Sequence, residues 1–158
     1  MALERTLVLL KPDAVARGLV GRILARFEAK GLQLVGMRLM RVPAPLAEKH
    51  YAVHAGKPFY PGLVRFITSG PLVAVCLEGR EAVTVVRRMV GATNGAEAAA
   101  GSIRGDLAMS NRFNLVHASD SAESAAAEIA NFFSTGELQV APRENLRWLY
   151  DLSEGGAL

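Results

Sequence analysis

A single cysteine in 158 residues rules out an internal disulfide. Cys76 sits in the apolar run Leu72-Val73-Ala74-Val75-Cys76-Leu77, where a buried, inert thiol is expected. A chain with no disulfide framework fits a reducing, cytoplasmic setting. No apolar stretch approaches the ~20 residues that cross a bilayer. The first residues do not read as a signal peptide, because Glu4 and Arg5 precede only Leu7 to Leu10 before Lys11 interrupts. Internal repeats, low-complexity tracts and Pro/Ser linkers are also missing. So are Gly-x-x-x-x-Gly-Lys-Ser/Thr and a Gly-x-Gly-x-x-Gly following a strand, which means that any bound phosphate is held by other devices. There is no zinc-type cysteine cluster.

What remains is a chain of one-domain length, able to bury roughly 70% of its unfolded surface. The net charge is +3, from 14 Arg and 4 Lys against 15 acidic residues. These bases are scattered and interleaved with Glu, so they predict a solvated surface and no specific nucleic-acid groove. A few of them gathered in one pocket would suit the phosphates of a nucleotide.

Residues 4–11 predict a strand covered on both faces, closed by Pro12. Val20, Ile23, Leu24 and Phe27 keep the i, i+3, i+4, i+7 spacing of an amphipathic helix, with Gly31 as its C-terminal cap. Residues 32–41 predict a second strand with a bulge at Gly36. A helix from Pro45 to His54 and another from Pro61 to Ser69 follow, then a buried strand from Leu72 to Glu78. Ala82, Val85, Val86 and Met89 mark a helix ending near Gly91, and residues 92–106 read as an ordered loop with one short helical turn. Phe113 to His117 predicts a fourth strand, and Ala122 to Phe133 a final helix. The order β-α-β-(αα)-β-α-β-α is that of an α+β ferredoxin-like sandwich, a four-stranded antiparallel sheet with helices packed on it. Past Phe133, Trp148-Leu149-Tyr150 needs a surface to cover it, and residues 154–158 should fray.

His117 is the most informative side chain. It ends an apolar run and is followed at once by Ser119, Asp120 and Ser121, a cluster able to cap the next helix. A nucleophilic imidazole facing Lys11, Arg87 and Arg104 would suit phosphoryl transfer through a phosphohistidine. Glu128 is placed to hold one ring nitrogen and leave the other free to attack. Each residue also has a plainer reading. His117 alone is more often a histidine satisfied at a strand end. Lys11 snorkels, Arg104 pairs with Asp106, and Glu128 is a solvated helix residue. Tyr51 and Phe59 either pack in the core or stack on a base. Strict alternation puts Asn114 and His117 on opposite faces, so either the strand is distorted or Asn114 reaches the site from its edge. His50 and His54 stand at i, i+4, a legal metal spacing, but Tyr51 follows where a metalloprotease has its base. Two exposed or capping histidines are expected there.

Lys11-Pro12-Asp13, Arg17-Gly18-Leu19-Val20-Gly21, Phe59 to Val64, Ser69-Gly70-Pro71, Gly91 to Asn94, Ile103 to Asp106 and Asn114-x-x-His117-x-Ser119-Asp120-Ser121 together resemble nucleoside diphosphate kinase. The match runs from about Glu4 to Phe133, and Asn145 to Asp151 resembles the C-terminal segment of longer members. The resemblance implies one domain over 1–158 with a C-terminal arm from about 134. It implies an enzyme that passes the terminal phosphoryl group of ATP to a nucleoside diphosphate by a two-step exchange through phosphorylated His117, with broad base tolerance. By the family motif, Lys11, Tyr51, Arg87, Thr93, Arg104 and Asn114 contact phosphates or ribose, and Phe59 stacks on the base. Ser119 and Glu128 support His117. Mg²⁺ rides on the nucleotide's phosphates with no protein ligand. The expected assembly is a homo-oligomer, a hexamer with a tetramer as the alternative, with no membrane partner.

Four positions depart from the family pattern. Ala14 and Ala118 replace frequent glycines; a left-handed backbone at either would cost about 1–2 kcal/mol, so such a conformation is not expected there. Gly95 and Ala100 replace prolines in the loop that the family uses between subunits, which bears on assembly stability. Two rival readings stay open on sequence alone: a ferredoxin-like nucleic-acid-binding or regulatory module, and a nucleotide-binding scaffold in which His117 is dispensable.

Overall fold

The computed structural model describes residues 3–139, 142 and 144–151. The chain runs β1 (Glu4–Leu10), α1 (Pro12–Ala16), α2 (Val20–Ala29), β2 (Gln33–Arg41) and α3 (Ala44–His50), then a 3₁₀ turn at Ala52–His54. It continues through α4 (Tyr60–Thr68), β3 (Pro71–Gly79), α5 (Ala82–Val90), α6 (Ile103–Leu107), β4 (Val116–Ala118) and α7 (Ala122–Phe132). A second 3₁₀ turn at Thr135–Glu137 precedes the short α8 (Leu146–Leu149). The four strands form one antiparallel sheet in the order β2-β3-β1-β4, the ferredoxin-like arrangement.

Alternation along the central strands explains why the sheet is covered twice. Val8 and Leu10 of β1, with Val75 and Leu77 of β3, pack against Ile23 and Phe27 of α2 and Val86 and Val90 of α5. Leu7, Leu9, Ala74 and Cys76 face the other way, onto Ile67 of α4 and Ile129 and Phe132 of α7. Each fully buried aliphatic of this kind contributes ~1.5–3 kcal/mol. Burial pushes the Cys76 thiol up to about 11, as an inert cysteine requires. Gly36 is the expected bulge, where the β2–β3 register shifts between Leu34 and Gly36. Gly31 follows α2 at φ 95°, a conformation that favours glycine.

Several expectations need correction. The helix expected over 45–54 is α up to His50 and 3₁₀ beyond it. Pro12 does not merely close β1; it opens the five-residue α1, too short to show a periodicity. The fourth strand is Val116–Ala118, not 113–117. Leu115 adopts φ 71° and Val116 N donates to Asn114 O at 2.8 Å, a γ-turn that interrupts the extended run. Leu115 is pinned in that turn by its N–H to Asp13 Oδ2 (3.0 Å) and by its carbonyl, which accepts from Lys11 N (2.8 Å). Asn114 is therefore off the strand and free of its alternation.

Ala14 and Ala118 both avoid positive φ; among the described residues only Glu81 and Leu115 show it without being glycine. The segment expected as a C-terminal arm is described to 139, at 142 and from 144 to 151; the fraying expected at 154–158 lies outside the described residues. No helix among the described residues is long and apolar enough to cross a membrane.

Candidate active site

His117 stands on β4 opposite Leu9 of β1, so the sheet fixes its backbone. Its Nε2 lies 3.0 Å from Glu128 Oε2 on α7. Ser119 Oγ donates to the same carboxylate oxygen at 2.6 Å, while Leu7 N donates to Ser119 Oγ at 3.3 Å. Ser119 was expected to help cap the following helix, but that task falls to Ser121, whose hydroxyl accepts from Ser124 N. Ser119 is instead fully buried and steers Glu128. Burial alone would raise the Glu128 pKa; the hydrogen bonds from His117 and Ser119 and the nearby imidazoles outweigh it and hold the carboxyl below its usual range. A carboxylate at Nε2 favours the tautomer with the proton there, which leaves the lone pair on Nδ1.

The neighbours of this pair are aromatic. The His50 ring stands edge to face with His117, centroids 4.6 Å apart, and likewise with Phe132 at 5.4 Å. Burial and the adjacent His117 lower His50 to about 4, so it is neutral at physiological pH. It is neither exposed nor a cap, contrary to expectation; both of its ring nitrogens are buried without a hydrogen-bond partner. Burial, with Glu128 nearby, raises Tyr51 to about 12 and keeps its hydroxyl a donor.

The cations come from the ends of other elements. Lys11 leaves β1 beside the γ-turn and donates from Nζ to Asn114 Oδ1 and to Arg112 O. Burial brings its pKa down to about 8, against the opposing pull of Asp13. Asn114 Nδ2 in turn donates to Thr93 O at 2.8 Å. Arg104 does not pair with Asp106, which binds Arg26 (2.9 Å) and Gly101 N (2.8 Å) instead. Its guanidinium reaches three carbonyls: Asn114 O (3.3 Å), Gly91 O (3.0 Å) and Val116 O (2.6 Å). Burial lowers it to about 10 while leaving it charged at neutral pH.

These groups border a cavity of about 420 Å³. Lys11, Tyr51, Phe59, Thr93, Arg104, Asn114 and His117 line it, so seven of the residues singled out in the sequence converge. Tyr51 is buried and Phe59 is half-exposed at the cavity, which divides the two alternatives between them. Ser119 and Glu128 stand behind His117. Arg87 is outside the lining; from α5 it donates to Ala118 O at 3.4 Å. The lining also holds His54, which the sequence offered only as an exposed or capping histidine, and adds Leu63, Asn111, Arg112 and Val116, for which the sequence gave no role. Asn111 and Arg112 lie in an irregular segment with no periodicity to read, tied to the site by the Lys11 Nζ bond to Arg112 O.

Among the described residues, no carboxylate lines the cavity. A divalent ion bound with a nucleotide there would be held by phosphate oxygens, which fits the donor set. The nucleic-acid-binding alternative requires aromatic side chains open on the sheet; both faces of the central strands are covered and the four strands carry no Phe, Tyr or Trp.

Comparison with known proteins agrees with this geometry. The family model for nucleoside diphosphate kinase matches residues 4–138. A nucleoside diphosphate kinase of Rhodopirellula baltica is 57% identical over 135 residues, covering 85% of this chain and 89% of that protein. One of Archaeoglobus fulgidus is 50% identical, covering 94% of this chain and 99% of that protein. The solved structure of a halophilic nucleoside diphosphate kinase from Halobacterium salinarum in complex with CDP superposes with a TM-score of 0.92 at 47% identity, over 95% of this chain and all of that one. The match over residues 4–138 and relatives at about half identity across most of both chains agree with a cavity where Lys11, Arg104 and Asn114 meet a sheet-held His117, and this chain belongs to the nucleoside diphosphate kinase family.

Proposed function

We propose that this chain passes the terminal phosphoryl group of a nucleoside triphosphate to a nucleoside diphosphate, with His117 as the intermediate carrier. The observation that carries the reading is the His117–Glu128–Ser119 chain, which commits Nε2 to a carboxylate at the edge of a cationic cavity. In the first half-reaction, the Nδ1 lone pair forms a bond to the γ-phosphorus as the bond from that phosphorus to the β–γ bridging oxygen breaks. The electron pair leaves on the diphosphate. The positive charge gained by the ring is balanced by Glu128 through Nε2–H. In the second, a terminal oxygen of the incoming diphosphate attacks the phosphorus and the N–P electron pair returns to Nδ1. No proton is consumed in the sum.

The protein's task is to position and to stabilise charge on the transferring oxygens. Lys11, Arg104 and Asn114 supply fixed cations and a donor at the cavity wall, Thr93 and Tyr51 supply hydroxyls, and Arg87 approaches from α5. Phe59 offers a π face, which reads no base identity and so gives broad base tolerance. Mg²⁺ would accompany the nucleotide as part of the substrate and offset the charge of its phosphates, which leaves Lys11, Arg104 and Asn114 to hold the oxygens from the protein side. We further propose a single domain whose C-terminal arm supports a homo-oligomer, a hexamer ahead of a tetramer, working in the cytoplasm.

Initial-rate kinetics test the two-step scheme. Parallel double-reciprocal lines for the two nucleotides are expected. Intersecting lines would indicate direct transfer in a ternary complex and remove His117 as carrier.

A further inference from the structure

His50 has no part in that scheme, yet it lies against the nucleophile with both ring nitrogens buried and unpartnered. An imidazole in that condition has lost hydrogen bonds to water without replacing them, and each such loss is unfavourable. One ligand atom each from His50, His117 and Glu128 lies within 4.8 Å of the others. The His117 and Glu128 atoms are already 3.0 Å apart. Donors around a tetrahedral Zn²⁺ at ~2.0–2.2 Å stand about 3.3 Å from one another. The set spans at most 4.8 Å, so closing it on one ion requires the imidazoles to turn about their side-chain bonds.

The geometry points to a second ligand at this site: a transition-metal ion of the Zn²⁺ class, bound by His50, His117 and Glu128, that inhibits phosphorylation of His117. Two imidazoles and one carboxylate with a fourth position open form a known zinc donor set, whereas Mg²⁺ demands six hard oxygen ligands and is poorly matched. Binding expels the proton held between His117 Nε2 and Glu128 Oε2. It also draws electron density from the ring and turns Glu128 from balancing ring charge to holding the metal. The nucleophile is thereby weakened and pinned. The site accounts for the unpartnered His50; its inhibitory effect rests on the proposed role of His117.

The test uses the full chain, freed of metal and nucleotide. Titration with Co²⁺ should give the intense visible bands of a four-coordinate ion at one ion per chain, displaced by Zn²⁺ and not by Mg²⁺. Zn²⁺ should also raise the melting temperature of the wild type and release protons in calorimetry, readouts that need no variant. In His50→Gln and Glu128→Gln the affinity should fall at least ~10–100-fold, the loss that even an outer partner of a ligand can produce. Zn²⁺ should slow phosphorylation of wild-type His117, and the ratio of rates with and without Zn²⁺ should return towards unity in His50→Gln. Absence of stoichiometric binding, a pale six-coordinate Co²⁺ spectrum, or unchanged affinity in His50→Gln would overturn the site. A chain that binds Co²⁺ as described but takes no phosphoryl group from ATP in its absence would keep the site and defeat the proposed function instead.

Discussion

Lys11 sits where burial weakens its hold on a proton, with a pKa brought down to about 8. Below that pH the free protein presents an ammonium to incoming phosphates; above it the charge is lost. The value of kcat/KM should therefore fall as pH rises through about 8. Bound phosphates favour the charged form, so the matching fall in kcat should lie at higher pH. A kcat/KM profile that stays flat into the ordinary lysine range would contradict the proposed role. Glu128→Gln keeps the shape of the side chain but removes the charge that balances the ring. Phosphorylation of His117 should slow by roughly 10²-fold, the low end for a positioned proton-holding group; rapid-quench rates equal to wild type would make Glu128 merely structural. Arg104→Ala should slow transfer by ~10²–10³ if it stabilises developing charge. It should also lower stability, since three carbonyls lose a shared donor. Unchanged turnover would remove Arg104 from the mechanism. Residue types at this scale were legible because the chemistry demands them: imidazole, carboxylate, amine. Partners were less so. Ser119 looked like a cap because serine before a helix usually is one, and only packing reveals that Ser121 takes that place.

Between β1 and β4 the site depends on a turn that no periodicity announces. Phe113, Leu115 and Val116 look like an extended run, yet Leu115 is left-handed and holds Asn114 out of the strand. The conformation is disfavoured for leucine, and it persists because Asp13 and Lys11 hold its amide and carbonyl. The same carboxylate belongs to α1, which the sequence showed only as a proline after a strand. The tension over Asn114 and His117 was thus visible in the sequence as a conflict of faces, but its resolution was not, since it depends on a contact between residues 102 apart. Asp13→Ala should strand the buried Leu115 amide and cost ~1–3 kcal/mol, read as a lower urea midpoint. Asp13→Asn keeps an acceptor and should cost less. Equal midpoints for wild type and Asp13→Ala would show that the turn stands without this bond.

At the scale of the whole molecule, the alternation of β1 and β3 made the doubly covered sheet legible, and the element order gave its topology. The tail was legible only as a need for cover. The structure meets part of that need within the chain: Leu149 lies over Gly31, where an added Cβ would come within 2.6 Å of it, and Tyr150 OH accepts from Arg80 N at 3.1 Å. Trp148 remains 80% exposed, and the edge strand β2 carries exposed Met37 and Leu39. Apolar surface of this kind is consistent with contact between subunits. Truncation before Leu146 should loosen the assembly and shift sedimentation towards smaller species; an unaltered profile would refute a role for the arm.

The central claim is that His117 carries the phosphoryl group, and intact mass after incubation with Mg-ATP tests it most directly. Wild type should gain one acid-labile phosphoryl group, lose it on addition of a nucleoside diphosphate, and His117→Ala should gain none. A well-folded wild type that gains no mass, or a His117→Ala variant that does, would contradict the account.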